Sequence, residues 1–356
     1  MGHRRLPGVR ASAGRATTSS QPRDSRAGTW RRSRRSCRHN EIVDGETNDA
    51  YRTPLPELNV FKVLFRALRL PFISACLFPY VFGSLRSGRP FDWICFVLGV
   101  ITVAGTHLSA NLINDVADAH SGVDQFDQRF FGFFGGSKLI QEGRLSIRWY
   151  RRAAVLSALC AGTALLAITF RLGRWETPFL FAFVLGLAWQ YSCPPLALAY
   201  RGFGESAVFL LFGPASVAGG FYFAGAGYPT FEQWTLSLPF GFLTAAILIA
   251  NEVPDAREDA RGGKRTLVVS LGSANGWLGF AVIEALAWFS ILLSWFFGFL
   301  KTKTTAASLL GLPLVFISAS ILRQHWDRKE RLIVSSKLAI ATQVIVGSIL
   351  IVGEFF

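Results

Sequence analysis

Methionine is almost missing from this chain: the initiator is the only one in 356 residues. Cysteine is sparse too. The five present (Cys37, Cys76, Cys95, Cys160 and Cys193) form no CxxC pair. That pattern indicates neither a disulfide framework nor a zinc site. Acid is scarce at the start, where Asp24 is the only carboxylate before Glu41. The same stretch lacks a hydrophobic run of the secretory-signal kind, which excludes such a signal. It is rich in Arg and Ser instead. Residues 1–56 are therefore assigned no fold. Three readings stay open: a disordered basic tail, which the composition favours, an organellar transit peptide, or an over-long start.

The remainder is abundant in what a soluble protein limits. Even with the basic segment included, hydrophobic residues make up 51% of the chain and mean hydropathy is +0.35. Apolar runs of membrane-spanning length recur. The expected class is all-α, a polytopic membrane protein, with residues 57–356 forming one transmembrane domain. Residues 59–69 read as a short amphipathic lead-in carrying Lys62, Arg66 and Arg69. Nine spans are expected near 70–85, 93–114, 153–170, 178–198, 205–226, 234–251, 276–300, 305–322 and 333–353, in a ring-like bundle around an apolar cavity. Many of the 32 Phe residues face lipid on this reading, and others are available to line the cavity.

The formal charge is +14, but the excess lies in the tail and loops. Basic flanks of a membrane protein explain it better than nucleic-acid binding. The loops after the second, fourth, sixth and eighth spans carry most of the cations, among them Lys138, Arg201, Lys264 and Lys329. The positive-inside rule puts these loops on the cytoplasmic side. A bacterial-type inner membrane is the expected location, or an organellar one if the tail is a transit peptide.

Two of the spans end in related polar motifs. The first reads Asn111-Leu-Ile-Asn114-Asp115-Val-Ala-Asp118, followed by Gly122-Val-Asp124. The second reads Asn251-Glu-Val-Pro-Asp255-Ala-Arg-Glu-Asp259. On a helix, Asn111, Asp115 and Asp118 share a face, as do Asn251, Asp255 and Asp259. Carboxylates at the mouth of an apolar helix are costly unless something cationic neutralises them. Oxygen-only donors suit Mg2+, which takes one or two carboxylates and fills its shell with water and phosphate oxygens. Either motif alone reads equally well as solvated helix-capping acid. The pair favours metal ions bridging to a diphosphate, with Asp115, Asp118, Asp255 and Asp259 as ligands. Their spacing, four spans apart, hints at two related four-helix halves.

Each motif is followed by glycines and cations. Gly135-Gly-Ser-Lys138 leads to Arg144, and Arg261-Gly-Gly-Lys264-Arg265-Thr266 follows the second motif. Backbone amides and cations of this kind suit an anion. Lys138, Arg144, Lys264 and Arg265, with Asn111, Asn114, Asp124 and Asn251, are candidate substrate ligands. Tyr191 and Arg201 join them from Tyr191-Ser-Cys-Pro-Pro-Leu-Ala-Leu-Ala-Tyr200-Arg201-Gly-Phe-Gly-Glu205, otherwise a structural turn. His107, one helical turn before Asn111, reads first as a packing residue.

Ionisation of an allylic diphosphate unites a metal–diphosphate site with a lipid-embedded apolar cavity. Metal and cations stabilise the departing diphosphate, and aromatic faces hold the allylic cation. A cation transporter is the alternative of another class, since intramembrane acids often line ion paths. The placement of these acids at helix ends beside Gly-rich loops speaks against it.

Over residues 57–353 these motifs resemble the UbiA superfamily of intramembrane prenyltransferases. Asn111 to Asp124, Tyr200 to Glu205 and Gly263-Lys-Arg-Thr-Leu267 are most similar to its 1,4-dihydroxy-2-naphthoate branch. The resemblance implies that Asn111 and the four aspartates hold Mg2+ and diphosphate, with Lys138, Arg144 and Lys264 on the diphosphate. It implies transfer of a polyprenyl group to 1,4-dihydroxy-2-naphthoate, giving a demethylmenaquinone-type product with loss of diphosphate and CO2. Another acceptor on the same scaffold (4-hydroxybenzoate, homogentisate, a chlorophyllide or haem) is the alternative. Three departures bear on the acceptor: Glu252 where that branch more often has a neutral residue, Pro254 before Asp255, and the aromatic run Phe130 to Phe134.

Overall fold

The computed structural model describes residues 58–355, together with Gly2. The basic segment 1–56, Gly2 apart, lies outside the described residues, and so do the readings made for it. Every regular element among the described residues is helical. In order they are α1 (Val60–Ala67), α2 (Ser74–Leu85), α3 (Trp93–Ser121), α4 (Ile147–Leu172), α5 (Thr177–Gln190), α6 (Gly204–Leu210), α7 (Ser216–Phe223), α8 (Phe231–Arg261), α9 (Leu267–Leu271), α10 (Gly276–Phe296), α11 (Thr302–Ser308), α12 (Leu312–His325) and α13 (Lys329–Val352).

The long helices begin where a side chain satisfies the first free amides. Asp92 accepts from the amides of Ile94 and Cys95 at 3.0 and 3.2 Å and starts α3. Ser146 accepts from Trp149 N at 3.1 Å and starts α4. Thr230 and Gln233 cap each other at the start of α8. α3 ends on Gly122, whose φ of 79° suits a residue without Cβ.

Among the described residues, seven helices are long and apolar enough to cross a membrane: Trp93–Ser121, Ile147–Leu172, Gly204–Phe223, Phe231–Arg261, Ser273–Phe296, Thr302–His325 and Lys329–Val352. Gly204–Phe223 joins α6 to α7 through a π-helical turn at Leu211–Ala215 containing Pro214. Thr302–His325 joins α11 to α12. The other two expected positions hold shorter apolar helices, Leu70–Leu85 and Thr177–Gln190. The fourth expected span therefore stops at Gln190, before the Pro194–Pro195 turn, rather than near 198.

Two helix ends differ from the expectation in the other direction. α3 runs past 114 to Ser121, and α8 runs past 251 and through Pro254 to Arg261. The acids are thus carried on the helices themselves. Counter-ions from elsewhere in the chain, described below, remove the need for these residues to turn out into water.

α3 packs on α4, α2 on α7, α12 on α13, and α8 on both α10 and α13. α8 is the centre: its most apolar stretch is 78% buried, against 28–44% for the other six long spans. α2 and α7 meet backbone to backbone. A Cβ on Gly83 would lie 2.1 Å from the Val217 carbonyl oxygen, and one on Gly220 would lie 2.1 Å from that of Tyr80. Small residues at such a crossing are what permits close helix approach inside a membrane. Gly220→Ala is expected to destabilise the fold by about 1–3 kcal/mol, because backbone must shift to admit the methyl. Gly219→Ala, whose added Cβ meets nothing within 4 Å, is the control. Thermal unfolding in detergent compares them; equal melting temperatures would refute the contact.

Candidate active site

α3 and α8 bring the two motifs to one end of the bundle. On α3, Asp115 and Asp118 are buried. Asn111 sits above them, 2.9 Å from the buried His107 ring nitrogen Nε2. Asn114 donates to Ser192 Oγ at 2.7 Å. On α8, Asp259 is buried, and Asn251 and Asp255 are partly so.

Each of the four aspartates of the two motifs has a cation or an amide of this chain as partner. Asp115 pairs with Arg69. Lys264 spans the two motifs, with Nζ 3.0 Å from Asp118 Oδ1 and 3.3 Å from Asp259 Oδ1. Burial opposes the Lys264 ammonium, yet Asp118 and Asp259 outweigh it and its pKa rises well above the usual value. The Tyr200 hydroxyl donates to Asp118 Oδ1 at 3.1 Å. Burial, with Asp118 beside it, pushes that phenol up to about 12. Asp255 Oδ2 accepts from the Gly135 amide at 2.6 Å, so the loop after the first motif reaches the second.

That loop is tightly built. Gly135 and Gly136 have φ of 73° and 75°, which lets the backbone turn its amides inward. A Cβ on Gly136 would stand 3.0 Å from Asp124 Oδ2. Lys138 is 4% exposed and takes a left-handed φ of 58°, a cost that clusters at functional sites. Its Nζ donates to Asp124 Oδ1 at 2.9 Å. Burial and Asp118 push Asp124 up to about 6 against the pull of Lys138. From outside, Arg66 of α1 donates to the Ser137 carbonyl at 2.6 Å and lies 3.7 Å over the Phe130 ring. Lys329 of α13 pairs with Asp127 and Glu258, each at 3.1 Å. The aromatic run thus serves to hold the loop down.

The acids face a cavity of about 710 Å³. Asn111, Asn114, Asp118, Asp124, Lys138, Tyr191, Asn251, Asp255, Asp259 and Lys264 line it. Its walls away from them are apolar and aromatic, including Phe181, Leu187, Phe212 and Ile247. Asp115 reaches this surface through Arg69, itself a lining residue. Three expected contacts lie elsewhere. Arg144 pairs with Glu142 at 3.1 Å, Arg201 donates to the Pro195 carbonyl at 2.7 Å, and Arg265 is exposed. None of the three lines the cavity. Glu205, four residues after Arg201, accepts from the Leu267 amide.

Three more residues line the cavity that the motifs do not single out as ligands: Arg69, Glu252 and Lys329. In the sequence Arg69 is part of an amphipathic lead-in. Glu252 was visible as a carboxyl in a usually neutral position.

The donor set fits a hard divalent cation. Asp115 Oδ2, Asn251 Oδ1 and Glu252 Oε2 are buried oxygens without a hydrogen-bond partner. Among the described residues no three His, Cys, Asp or Glu side chains are gathered closely enough to grip a metal by themselves. A shell completed by water and phosphate oxygens suits Mg2+ under that condition.

Residues 76–340 match the UbiA prenyltransferase family. The chain is 26% identical over 222 residues to a 2-carboxy-1,4-naphthoquinone phytyltransferase of Synechocystis sp., covering 60% of this chain and 68% of that one. It is 26% identical over 251 residues to a 1,4-dihydroxy-2-naphthoate octaprenyltransferase of Haemophilus influenzae, covering 64% and 78%. The fold is similar to that of a UbiA homolog from Archaeoglobus fulgidus, whose structure was solved with GPP and Mg2+. The TM-score is 0.61 at 20% identity, covering 82% of this chain and 98% of that one.

Proposed function

Since the chain belongs to the UbiA prenyltransferase family and is an integral membrane protein with seven long apolar helices, we propose that it transfers a polyprenyl group from an allylic diphosphate to 1,4-dihydroxy-2-naphthoate. The observation that carries this is the acid–cation cluster of α3 and α8 at one end of an apolar, aromatic-walled cavity. Relatives named for naphthoate and naphthoquinone acceptors support the choice of acceptor. On this reading the two shorter apolar helices complete nine spans in a ring. The cation-rich loops beside the acids support a cytoplasmic side for the site under the positive-inside rule.

Asp115, Asp118, Asp255 and Asp259, with Asn111 and Asn251, would hold Mg2+. Bound there, the metal supplies Lewis-acid stabilisation of the diphosphate leaving group. Lys138, Lys264 and Arg69 add donors for the diphosphate oxygens. They are held in place beforehand by the acids they pair with, so little reorganisation is needed. The cavity wall excludes water and offers Phe181 and Phe212 to an allylic cation. The C1–oxygen bond to diphosphate breaks. A bond then forms from C1 to the acceptor carbon bearing the carboxylate, and CO2 leaves.

The protein in detergent or liposomes is expected to form prenylated product from 1,4-dihydroxy-2-naphthoate, read by mass, and to lose it with EDTA. Product that persists in EDTA would refute the metal role. Glu252, a buried cavity carboxyl with one unpartnered oxygen, suits an acceptor hydroxyl, which homogentisate and 4-hydroxybenzoate present as the naphthoate does, so a second reading keeps the reaction and changes the acceptor. Competition with homogentisate and 4-hydroxybenzoate separates the two readings. Diphosphate release with one of these and none with the naphthoate would replace the acceptor.

A further inference from the structure

The cavity has two ends, and the acids occupy only one. α3 lines it from Thr102 to Asp118. The segment of α5 and its C-cap lines it from Thr177 to Tyr191, and α6–α7 from Val208 to Tyr222. At 1.5 Å per helical residue these stretches run about 21–24 Å.

At the far end stands a second polar group with no part in diphosphate binding. Tyr222 is 5% exposed and donates its hydroxyl to Glu176. The Tyr228 hydroxyl donates to the same Glu176 oxygen at 3.2 Å. The two rings lie 5.6 Å apart. Arg174 fixes the backbone beneath them, donating to the carbonyls of Tyr222 at 3.0 Å and Gly225 at 3.1 Å. Its guanidinium sits 4.3 Å over the Tyr222 ring. The α4–α5 turn and the α7–α8 turn are thereby latched together. Thr177, Tyr222 and Tyr228 all line the cavity.

An extended prenyl chain advances about 5 Å per isoprene unit, from four carbon–carbon bonds of about 1.5 Å in zigzag. Less about one helical turn beside the acids for the diphosphate, stretches of about 21–24 Å take about three to four units. We propose that the Tyr222–Glu176–Tyr228 latch is the floor of the prenyl channel and sets the chain length, so that an allylic diphosphate of about three to four isoprene units is the matched donor. The inference rests on the prenyl-diphosphate reading of the acid end. Its rival is a sideways exit for the tail: Leu180, Phe183 and Leu210 line the cavity and are 48%, 71% and 47% exposed, which marks a gap between α5 and α6.

The full chain in liposomes with Mg2+ tests it, using allylic diphosphates of two, three, four, six and eight isoprene units. The wild type is expected to show its highest kcat/KM at about three to four. Tyr222→Ala is expected to raise the six-to-four ratio by about tenfold or more. Gly219 also lines the cavity, about one helical turn nearer the acids. A Cβ there meets nothing within 4 Å, so Gly219→Leu adds its bulk from an open position and removes no packed ring, unlike Tyr222→Ala. Gly219→Leu is expected to shift preference to a donor about one unit shorter, by about tenfold. Tyr222→Phe keeps the ring and the wild-type preference. A flat wild-type profile, or wild-type ratios in both altered channels, would overturn the floor and favour the sideways exit. If no allylic diphosphate is transferred at all, the proposed function falls, and the inference with it.

Discussion

Asp115→Asn and Asp255→Asn are each expected to reduce turnover by about 10²–10³-fold or more, the scale on which single preorganised electrostatic contacts act. Asn keeps the volume and removes the charge. Asp115 leans on Arg69 and Asp255 on the Gly135 amide. The two changes therefore strike opposite sides of the cavity by unrelated partners. A shared loss of activity points to a shared ligand between them. Assays at saturating donor with a titration of Mg2+ give the check. Both variants should stay monodisperse in detergent and need more Mg2+ for half-maximal rate. Wild-type rates in both would sink the assignment of metal ligands.

The second large effect belongs to Lys264. It pairs with an acid from each motif, at 3.0 and 3.3 Å, and its side chain is 12% exposed. Lys264→Met leaves Asp118 and Asp259 without that partner in a place where water reaches poorly. Breaking a buried pair from one side costs about 3–5 kcal/mol. A fall of that size in stability is expected together with loss of turnover, and added salt should not restore either. Lys264→Arg keeps the charge. It is expected to recover most of the melting temperature and less of the activity, because a planar fork does not replace a compact ammonium between two carboxylates. Denaturant or thermal unfolding in detergent, paired with turnover, separates the two roles. An unchanged melting temperature for Lys264→Met would show that the bridge carries no load.

The helical placement of the two motifs is legible in the sequence. Steps of three and four residues placed Asn111, Asp115 and Asp118 on one face, and Asn251, Asp255 and Asp259 on another. That rule is local and independent of the neighbours. Apolar run length gave the positions of the long spans. What escaped was non-local. Arg69 meets Asp115 across 46 positions, and Tyr222 meets Glu176 across 46; neither pair leaves any periodic trace. The ends of α3 and α8 escaped for a related reason. Polar residues after an apolar run look like a loop until their counter-ions are known. Arg144, Arg201 and Arg265 looked like anion ligands because charge beside glycine is a composition signal, and composition does not say which way a side chain points.

The position of α8 also gives meaning to the last part of the chain. Beyond α9, only Lys329 reaches the cavity lining, yet α10 and α13 pack along α8 and leave its most apolar stretch 78% buried. These helices act as insulation. They keep lipid and water away from the back of the helix that carries Glu252, Asp255 and Asp259, and so keep the local dielectric low. Charges in such a surrounding act on one another with greater force than at a wet surface. The C-terminal helices therefore share in setting the strength of a site to which they lend almost no side chain.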